Sequence, residues 1–264
     1  MKDFLAISDY SSDEIQDLLE LAVKLKKEYF TKGNQPIFKG RVLGMIFQKP
    51  SLRTRISFDM AMRHCGGDAL YLSPGEIGLG KRESIADVAR VLSGYVQALM
   101  ARVFDHEHVL ELAKWSDIPV VNGLSDYNHP CQGMADALTI IEKFGSKSKG
   151  LNIAYVGDGN NVTVSLMHVS VLLGWNMTVA SPEGYDMKPK AVEAAWNIAG
   201  KTGSILTFVR DPHEAVQGAN VIYTDTWTSM GQEEETAKRE QIFPPYQVNA
   251  KLVSEADKDV IVMH

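Results

Sequence analysis

The stretch from Val42 to Arg55 reads Val-Leu-Gly-Met-Ile-Phe-Gln-Lys-Pro-Ser-Leu-Arg-Thr-Arg, and its pattern decides the fold class. The apolar run Val42–Phe47 predicts a buried strand, and a helical pattern follows at Thr54–His64. Ser51 stands where a helix cap is expected. A strand followed at once by a helix is the repeating unit of α/β proteins with parallel sheets.

The same unit recurs along the rest of the chain. Strands are predicted at residues 69–72, 96–103, 118–121, 151–156, 177–180, 204–209, 221–224 and 260–263. Helices are predicted at residues 11–30, where Ser11 and Glu14 fit a capping box, and at 84–93, 107–115, 133–144, 162–173 and 188–201. We therefore predict an α/β fold of two doubly wound domains with parallel sheets, and an active site in the interdomain cleft.

The length of 264 residues fits about two domains. The polar stretch Gly145–Gly150 has glycine at both ends and is the predicted linker. The expected domains are residues 1–146 and residues 147–264.

Composition excludes several classes of protein. Hydrophobic residues make up 45% of the chain and charged residues 23%, which is typical of a globular protein and not of a disordered or collagen-like one. No apolar run approaches the roughly 18 residues of a membrane span, and the net charge of −6 makes nucleic acid a poor partner. The start of the chain has no signal pattern, and Cys65 and Cys131 have no metal-ligand spacing. A cytoplasmic protein with reduced thiols is the expectation.

The segment Ser51–Arg55 has the chemistry of an anion site. A helix start offers free backbone N–H groups and a partial positive charge, and Ser51 and Thr54 add hydroxyl groups. Arg53 and Arg55 add forked cations that suit phosphate. A phosphate cradle and a solvated cationic turn with a serine cap are equally compatible with this composition.

The segment also resembles the carbamoyl-phosphate motif of the transcarbamoylase family. Three further stretches agree with that family in order and spacing: His129-Pro130-Cys131-Gln132, Gly157-Asp158-Gly159-Asn160-Asn161 and Asp225-Thr226-Trp227-Thr228-Ser229-Met230-Gly231. The last two resemble the ornithine branch and not the aspartate branch. The resemblance extends from the first helix to His264.

The resemblance implies a set of site residues and no metal or other cofactor. Carbamoyl phosphate would be bound by Ser51, Leu52, Arg53, Thr54, Arg102, His129 and Gln132, of which Arg102, His129 and Thr54 would stabilise the carbonyl oxygen. L-Ornithine would be bound by Asn161, Asp225, Ser229 and Met230. The implied reaction transfers the carbamoyl group to the δ-amine of ornithine and gives citrulline and phosphate.

Two further expectations come from the same resemblance. Residues 75–84 resemble the family's mobile loop, which reaches a neighbouring subunit, so a homotrimer is implied. In the family a Cys-Leu-Pro segment and another helix follow the position of His264. We therefore expect the chain to lack the C-terminal end of the ornithine domain.

Two other functions stay open on the sequence. A chain without those residues would bind carbamoyl phosphate or partner subunits without turnover. An oxidoreductase linked to a nicotinamide cofactor is less favoured: Val156-Gly157-Asp158-Gly159 follows a strand as in a dinucleotide fingerprint, but Val162 occupies the third glycine position.

Overall fold

The computed structural model describes residues 3–145, 148–229 and 233–264. Contacts between Cα atoms divide the chain into two compact units, Met1–Asp9 with Asp17–Gln132, and Tyr10–Gln16 with Gly133–His264. The domain boundary between residues 146 and 147 stays a prediction, and both residues lie outside the described part of the chain.

The following elements lie wholly or mainly in the first unit and are given with their bounds. They are α1 (Ser12–Lys32), β1 (Val42–Phe47), α2 (Leu52–His64), β2 (Asp68–Leu72), α3 (Pro74–Ile77), α4 (Ile85–Ser93), β3 (Ala98–Arg102), α5 (His106–Trp115) and β4 (Val120–Leu124). The first residues of α1 belong to the second unit. The capping box at the start of α1 forms as predicted, because Ser11 N donates to Glu14 Oε2 (2.8 Å) and Glu14 N donates to Ser11 Oγ (3.2 Å).

The four strands of this unit form a parallel sheet in the order β2-β1-β3-β4. One face packs Met45, Phe47 and Met100 against Phe58 of α2. The other face packs against α4 and α5, whose buried residues include Ile85, Val88, Val109 and Leu112. Helices therefore cover both faces, as a parallel sheet with apolar residues on both sides requires.

The second unit repeats the plan with its own elements. They are α6 (Pro130–Phe144), β5 (Asn152–Val156), α7 (Asn161–Leu172), β6 (Asn176–Ala180), α8 (Pro189–Thr202), β7 (Leu206–Val209), α9 (Pro212–Val216), β8 (Val221–Tyr223), α10 (Thr236–Ile242), α11 (Ala250–Val253) and β9 (Ile261–Met263). The strands form a parallel sheet in the order β7-β6-β5-β8-β9. Two doubly wound α/β units with parallel sheets confirm the predicted fold class.

The predicted elements all form, and apart from β1 each has one or both ends shifted by one to three residues. β4 was predicted at 118–121 but extends to Leu124, because Asn122 and Leu124 pair with β3 while Gly123 lies unpaired at the shift in register. The helix predicted at 133–144 begins at Pro130, which fits the first turn of a helix. The short helices α3, α9, α10 and α11 were not predicted, since they are too short to show an apolar period.

The strand order of each sheet fixes the place where ligands bind. The strands are parallel throughout, but the order in which successive strands are added reverses between β1 and β3 in the first sheet and between β5 and β8 in the second. The crevice at the carboxyl ends of strands beside such a reversal is the usual ligand site of doubly wound folds. Most of the predicted site residues lie at or just after the carboxyl ends of these strands, while His129 and Gln132 follow the neighbouring strand β4.

Candidate active site

The anion motif lies at the start of α2, directly after β1. Ser51 caps the helix, and its Oγ accepts a hydrogen bond from Thr54 N (3.2 Å). Helix geometry leaves the backbone N–H groups of Leu52 and Arg53 without partners inside the helix, so they can donate to a ligand. The exposed side chain of Leu52 contributes nothing polar, and its predicted part in phosphate binding is restricted to its backbone.

Arg102 is the last residue of β3, beside this motif. Its side chain is only 5% exposed, and Nη1 donates to Thr54 Oγ1 (3.1 Å). Among the described residues no carboxylate pairs with it, and its buried Nε has no hydrogen-bond partner. Burial and the positive charge of Arg53 lower the pKa of Arg102. A buried cation without a counter-charge is costly, so this arrangement indicates a place for an anion.

His129 follows β4 and precedes the first residue of α6. Burial and the charge of Arg102 lower the pKa of His129 from 6.5 to about 3. The imidazole is therefore neutral at physiological pH and donates one N–H without carrying a charge. Gln132 lies within the first turn of α6, where its backbone N donates to His129 O (3.1 Å). Four predicted residues, Thr54, Arg102, His129 and Gln132, thus follow neighbouring strands of the same sheet.

This lowered pKa predicts that His129 stays unprotonated far below pH 6.5. We expect its ring ¹⁵N shifts to remain those of a neutral imidazole down to about pH 4, with assignment by loss of the signal in His129→Gln. The unfolded chain takes up this proton near pH 6.5, so the contribution to the free energy of unfolding is intact above that pH. It falls as pH is lowered towards 3. A ring titration near pH 6.5 in the folded protein would contradict the assignment.

In the second unit, Asn160 and Asp225 join the ends of β5 and β8. Asn160 caps α7, since its Oδ1 accepts from Val162 N (3.0 Å) and Thr163 N (3.2 Å). Its Nδ2 donates to Asp225 Oδ2 (2.9 Å). The described part of the chain offers no partner for Asp225 Oδ1. One carboxylate oxygen is held in place and the other is available to a cation.

Of the other three residues predicted to bind ornithine, the structure describes two. Asn161 is the first residue of α7, next to the Asn160–Asp225 hydrogen bond. Ser229 lies four residues beyond Asp225 in the same loop and is partly buried. Met230 lies outside the described residues. A cavity of about 480 Å³ adjoins Asp225, and its lining includes Thr226, Trp227, Thr228, Thr236, Glu240 and Gln247.

Sequence reasoning missed the buried ion pair that supports this loop. Arg239 of α10 donates through Nη1 to Asp158 Oδ2 (2.7 Å) and to the backbone oxygen of Trp227 (2.8 Å), and its Nε donates to Glu235 Oε2 (2.9 Å). Arg239 therefore ties the segment after Asp225 to the segment after β5. The i,i+4 spacing of Glu235 and Arg239 was the sole signal in the sequence, and it is equally typical of an exposed helix.

The structure argues against a dinucleotide at the glycine turn after β5. Gly159 N donates to Tyr185 O (2.8 Å), and a Cβ at Gly159 would lie 2.4 Å from Met187 N. Protein backbone thus occupies the space over Gly159 that a pyrophosphate would need, and Asn160 already caps the first N–H groups of α7. The close approach of Tyr185–Met187 explains the glycine without a cofactor.

Two kinds of feature are absent from the described residues, a membrane-spanning helix and a cluster of metal-binding side chains. No helix is long and apolar enough to cross a membrane within residues 3–145, 148–229 and 233–264. The same ranges hold no group of three or more His, Cys, Asp and Glu side chains placed to bind a metal ion.

Two doubly wound α/β units, with candidate site residues at the carboxyl ends of their strands, define the class of protein, and comparison with known proteins gives the family. Residues 2–142 match the model of the aspartate/ornithine carbamoyltransferase carbamoyl-P binding domain, and residues 149–264 match its Asp/Orn binding domain. The chain belongs to the aspartate/ornithine carbamoyltransferase family.

Individual relatives agree with that assignment. The chain is 51% identical over 263 residues to the ornithine carbamoyltransferase of Bacillus subtilis, covering 100% of this chain and 81% of the relative. It is 50% identical to that of Pyrococcus abyssi, covering 100% of this chain and 83% of the relative. The solved ornithine carbamoyltransferase of Pyrococcus furiosus superimposes with a TM-score of 0.96 at 49% identity, covering 100% of this chain and 84% of that one.

Proposed function

We propose that the protein transfers the carbamoyl group of carbamoyl phosphate to the δ-amine of L-ornithine. The observation that carries this proposal is Arg102, a buried guanidinium without a carboxylate partner among the described residues, beside the open first turn of α2. The family assignment and the names of the relatives support ornithine as the acceptor.

In this reaction the δ-nitrogen attacks the carbonyl carbon of carbamoyl phosphate. Negative charge collects on the carbonyl oxygen, the bond from carbon to the phosphate oxygen breaks, and inorganic phosphate leaves while the nitrogen loses a proton. Thr54 Oγ1 accepts from Arg102, so its own O–H proton is free to donate to the substrate. Arg102, His129 and Thr54 would direct donors at the carbonyl oxygen, where fixed donors stabilise the transition state.

The phosphate group of carbamoyl phosphate would bind at the start of α2. The backbone N–H groups of Leu52 and Arg53, the hydroxyl of Ser51 and the guanidinium of Arg53 suit phosphate oxygens, and the helix dipole favours the negative charge. Gln132 would bind the carbamoyl amide. Asp225, fixed by Asn160, would bind the α-ammonium group of ornithine, with Asn161, Ser229 and Met230 completing the site.

The name of one relative bears on the direction of the reaction, and the state of the cysteines bears on the proposed location in the cell. The ornithine carbamoyltransferase of Pyrococcus furiosus is named anabolic, and we propose the same direction here, in arginine biosynthesis. Cys65 and Cys131 are free thiols, which agrees with the proposed cytoplasmic location.

Citrulline formation by the purified protein from carbamoyl phosphate and L-ornithine is the direct test. Formation of carbamoyl-aspartate from L-aspartate instead would reject ornithine as the acceptor. Calorimetric titration with carbamoyl phosphate separates the remaining alternative: binding without turnover would indicate a protein that binds carbamoyl phosphate but does not transfer it.

Asp225→Asn should weaken the binding of ornithine and leave the affinity for carbamoyl phosphate unchanged. The substitution removes the negative charge and keeps the size of the side chain, so we expect the KM for ornithine to rise about 10- to 100-fold, as for loss of a charge-assisted hydrogen bond. Asp211→Asn, which alters an exposed carboxylate that caps α9, is the matched control. Steady-state kinetics with each substrate varied in turn measure the effect. Loss of affinity for both substrates would indicate a folding role.

We propose a homotrimer, supported by an apolar stripe on α2. Leu52, Ile56 and Met60 lie at spacings of four residues on one helix face, and Leu52 is 73% exposed. Large apolar side chains grouped in this way favour burial against another chain. Sedimentation equilibrium should give three times the monomer mass, and Ile56→Lys should lower it. A monomeric wild type would reject the proposal.

A further inference from the structure

Gln48, the residue directly after β1, holds the backbone around Arg102 from two sides. Its backbone N–H donates to Arg102 O (2.8 Å), and its side-chain Oε1 accepts a hydrogen bond from Phe104 N (3.0 Å). One residue thus fixes both ends of the segment from Arg102 to Phe104. The backbone bond continues the ladder between β1 and β3, whereas the side-chain bond depends on the identity of residue 48.

The other end of the same carboxamide reaches two further elements. Gln48 Nε2 donates to Leu79 O (3.2 Å) and lies 3.1 Å from His108 Nδ1 of α5. Phe104 N–H requires an acceptor and Leu79 C=O requires a donor, so the site needs a side chain that has both. A carboxamide meets this requirement, while a carboxylate or an aliphatic side chain does not.

Arg102 needs this support because of its position in the sheet. The register between β3 and β4 shifts between Ala101 and Arg102, so the ladder on that side is irregular where the arginine begins. The guanidinium is also buried without a counter-charge among the described residues, and solvation favours its movement towards water. Without an anion bound, the hydrogen bond from Arg102 Nη1 to Thr54 Oγ1 and the fixed backbone of Arg102–Phe104 together hold the side chain inward.

We propose that Gln48 is a positioning residue, whose carboxamide holds Arg102 at the place where it meets the phosphate and carbonyl oxygens. The inference rests on the proposed function, since it takes carbamoyl phosphate as the ligand. Gln48 acts through the backbone of Phe104 and Arg102 and need not touch the substrate. Loss of its side-chain bonds lowers affinity for carbamoyl phosphate and turnover and leaves the KM for ornithine unchanged.

The chain offers a matched control at the opposite end of the same strands. Gln97 N donates to Val42 O (3.0 Å), and Gln97 Oε1 accepts from Val42 N (2.8 Å). A partly buried glutamine therefore also makes one backbone bond and accepts one side-chain bond there, both with Val42, at the amino ends of β1 and β3 and away from Arg102. Gln97→Met and Gln48→Met each remove a bond from a backbone N–H to a side-chain oxygen, and Gln48→Met also removes the bond to Leu79 O. A purely structural role predicts a loss of stability in both variants and no loss of affinity for carbamoyl phosphate in either.

The experiment compares wild type, Gln48→Met and Gln97→Met by thermal melting, calorimetric titration with carbamoyl phosphate, and steady-state kinetics. Both variants should lose stability, Gln48→Met the more because it loses more hydrogen bonds, while the Kd for carbamoyl phosphate rises about tenfold in Gln48→Met alone. Hydrogen exchange at Phe104 N–H should speed up in Gln48→Met and stay slow in Gln97→Met. Gln48→Asn, whose shorter side chain does not reach Phe104 N–H, replaces Gln48→Met if that variant does not fold.

The outcomes separate this inference from the proposed function. If wild type binds carbamoyl phosphate and the two methionine variants bind it equally well, Gln48 is structural and the inference is overturned while the proposed function stands. If wild type does not bind carbamoyl phosphate, the proposed function fails and the positioning role fails with it. A higher Kd in Gln48→Met alone, with a KM for ornithine within twofold of wild type, supports the inference.

Discussion

Arg102→Met should lower turnover by about 10²- to 10³-fold, the usual cost of losing a donor to a developing oxyanion. The same change should leave the free energy of unfolding unchanged or higher. The structure buries this guanidinium beside Arg53 without a carboxylate partner among the described residues, so an apolar side chain of similar length removes an uncompensated charge. Citrulline assays and urea denaturation without ligand measure the two effects.

A fall in turnover without a fall in the free energy of unfolding identifies an arginine that binds a ligand. Arg90→Met is the matched control, because Arg90 is exposed, pairs with Asp87 (3.5 Å) and belongs to the same unit. The control should keep wild-type turnover. Carbamoyl phosphate should stabilise wild type more than Arg102→Met, since ligand affinity adds to stability by mass action. Wild-type rates in Arg102→Met would remove Arg102 from the mechanism.

Arg239→Met should cost the most stability of any single substitution considered for the second unit. Arg239 and Asp158 have side chains 5% and 8% exposed, and removal of the arginine leaves the carboxylate buried without its partner. Breaking one side of a buried pair costs about 3–5 kcal/mol. Urea denaturation should show this loss. The KM for ornithine should also rise, because Arg239 no longer holds Trp227 O in the segment after Asp225.

A second substitution tests the cause of that loss. Asp158→Asn added to Arg239→Met removes the unpaired charge, so the double variant should recover a large share of the lost stability. Arg210→Met is the control, because the Arg210–Asp186 pair is exposed and should cost about 1 kcal/mol or less. If the double variant is no more stable than Arg239→Met, loss of packing and not the buried charge explains the effect.

Motifs in the sequence were enough to name most of the candidate site, but not the residues that support it. Ser51, Arg53 and Thr54 occur together in one segment, so the sequence alone predicts that they lie close together in the structure. Gln48 and Arg239 could not be found in this way, because their partners lie far away in sequence: Phe104 is 56 residues from Gln48 and Asp158 is 81 residues from Arg239. Asn160 belonged to a quoted motif, but its hydrogen bond to Asp225 depends on two strands being neighbours.

By itself the sequence determined the elements and their class, because apolar periodicity, caps and glycine are local signals: Val42–Phe47 was predicted with both ends correct. The tertiary structure alone decided which strand ends meet. Placing β3 beside β1, and β8 beside β5, brings Arg102 to Thr54 and Asp225 to Asn160. The physical reason is that crossover helices of similar pattern can connect strands in several orders, and only the packing of both sheet faces selects one.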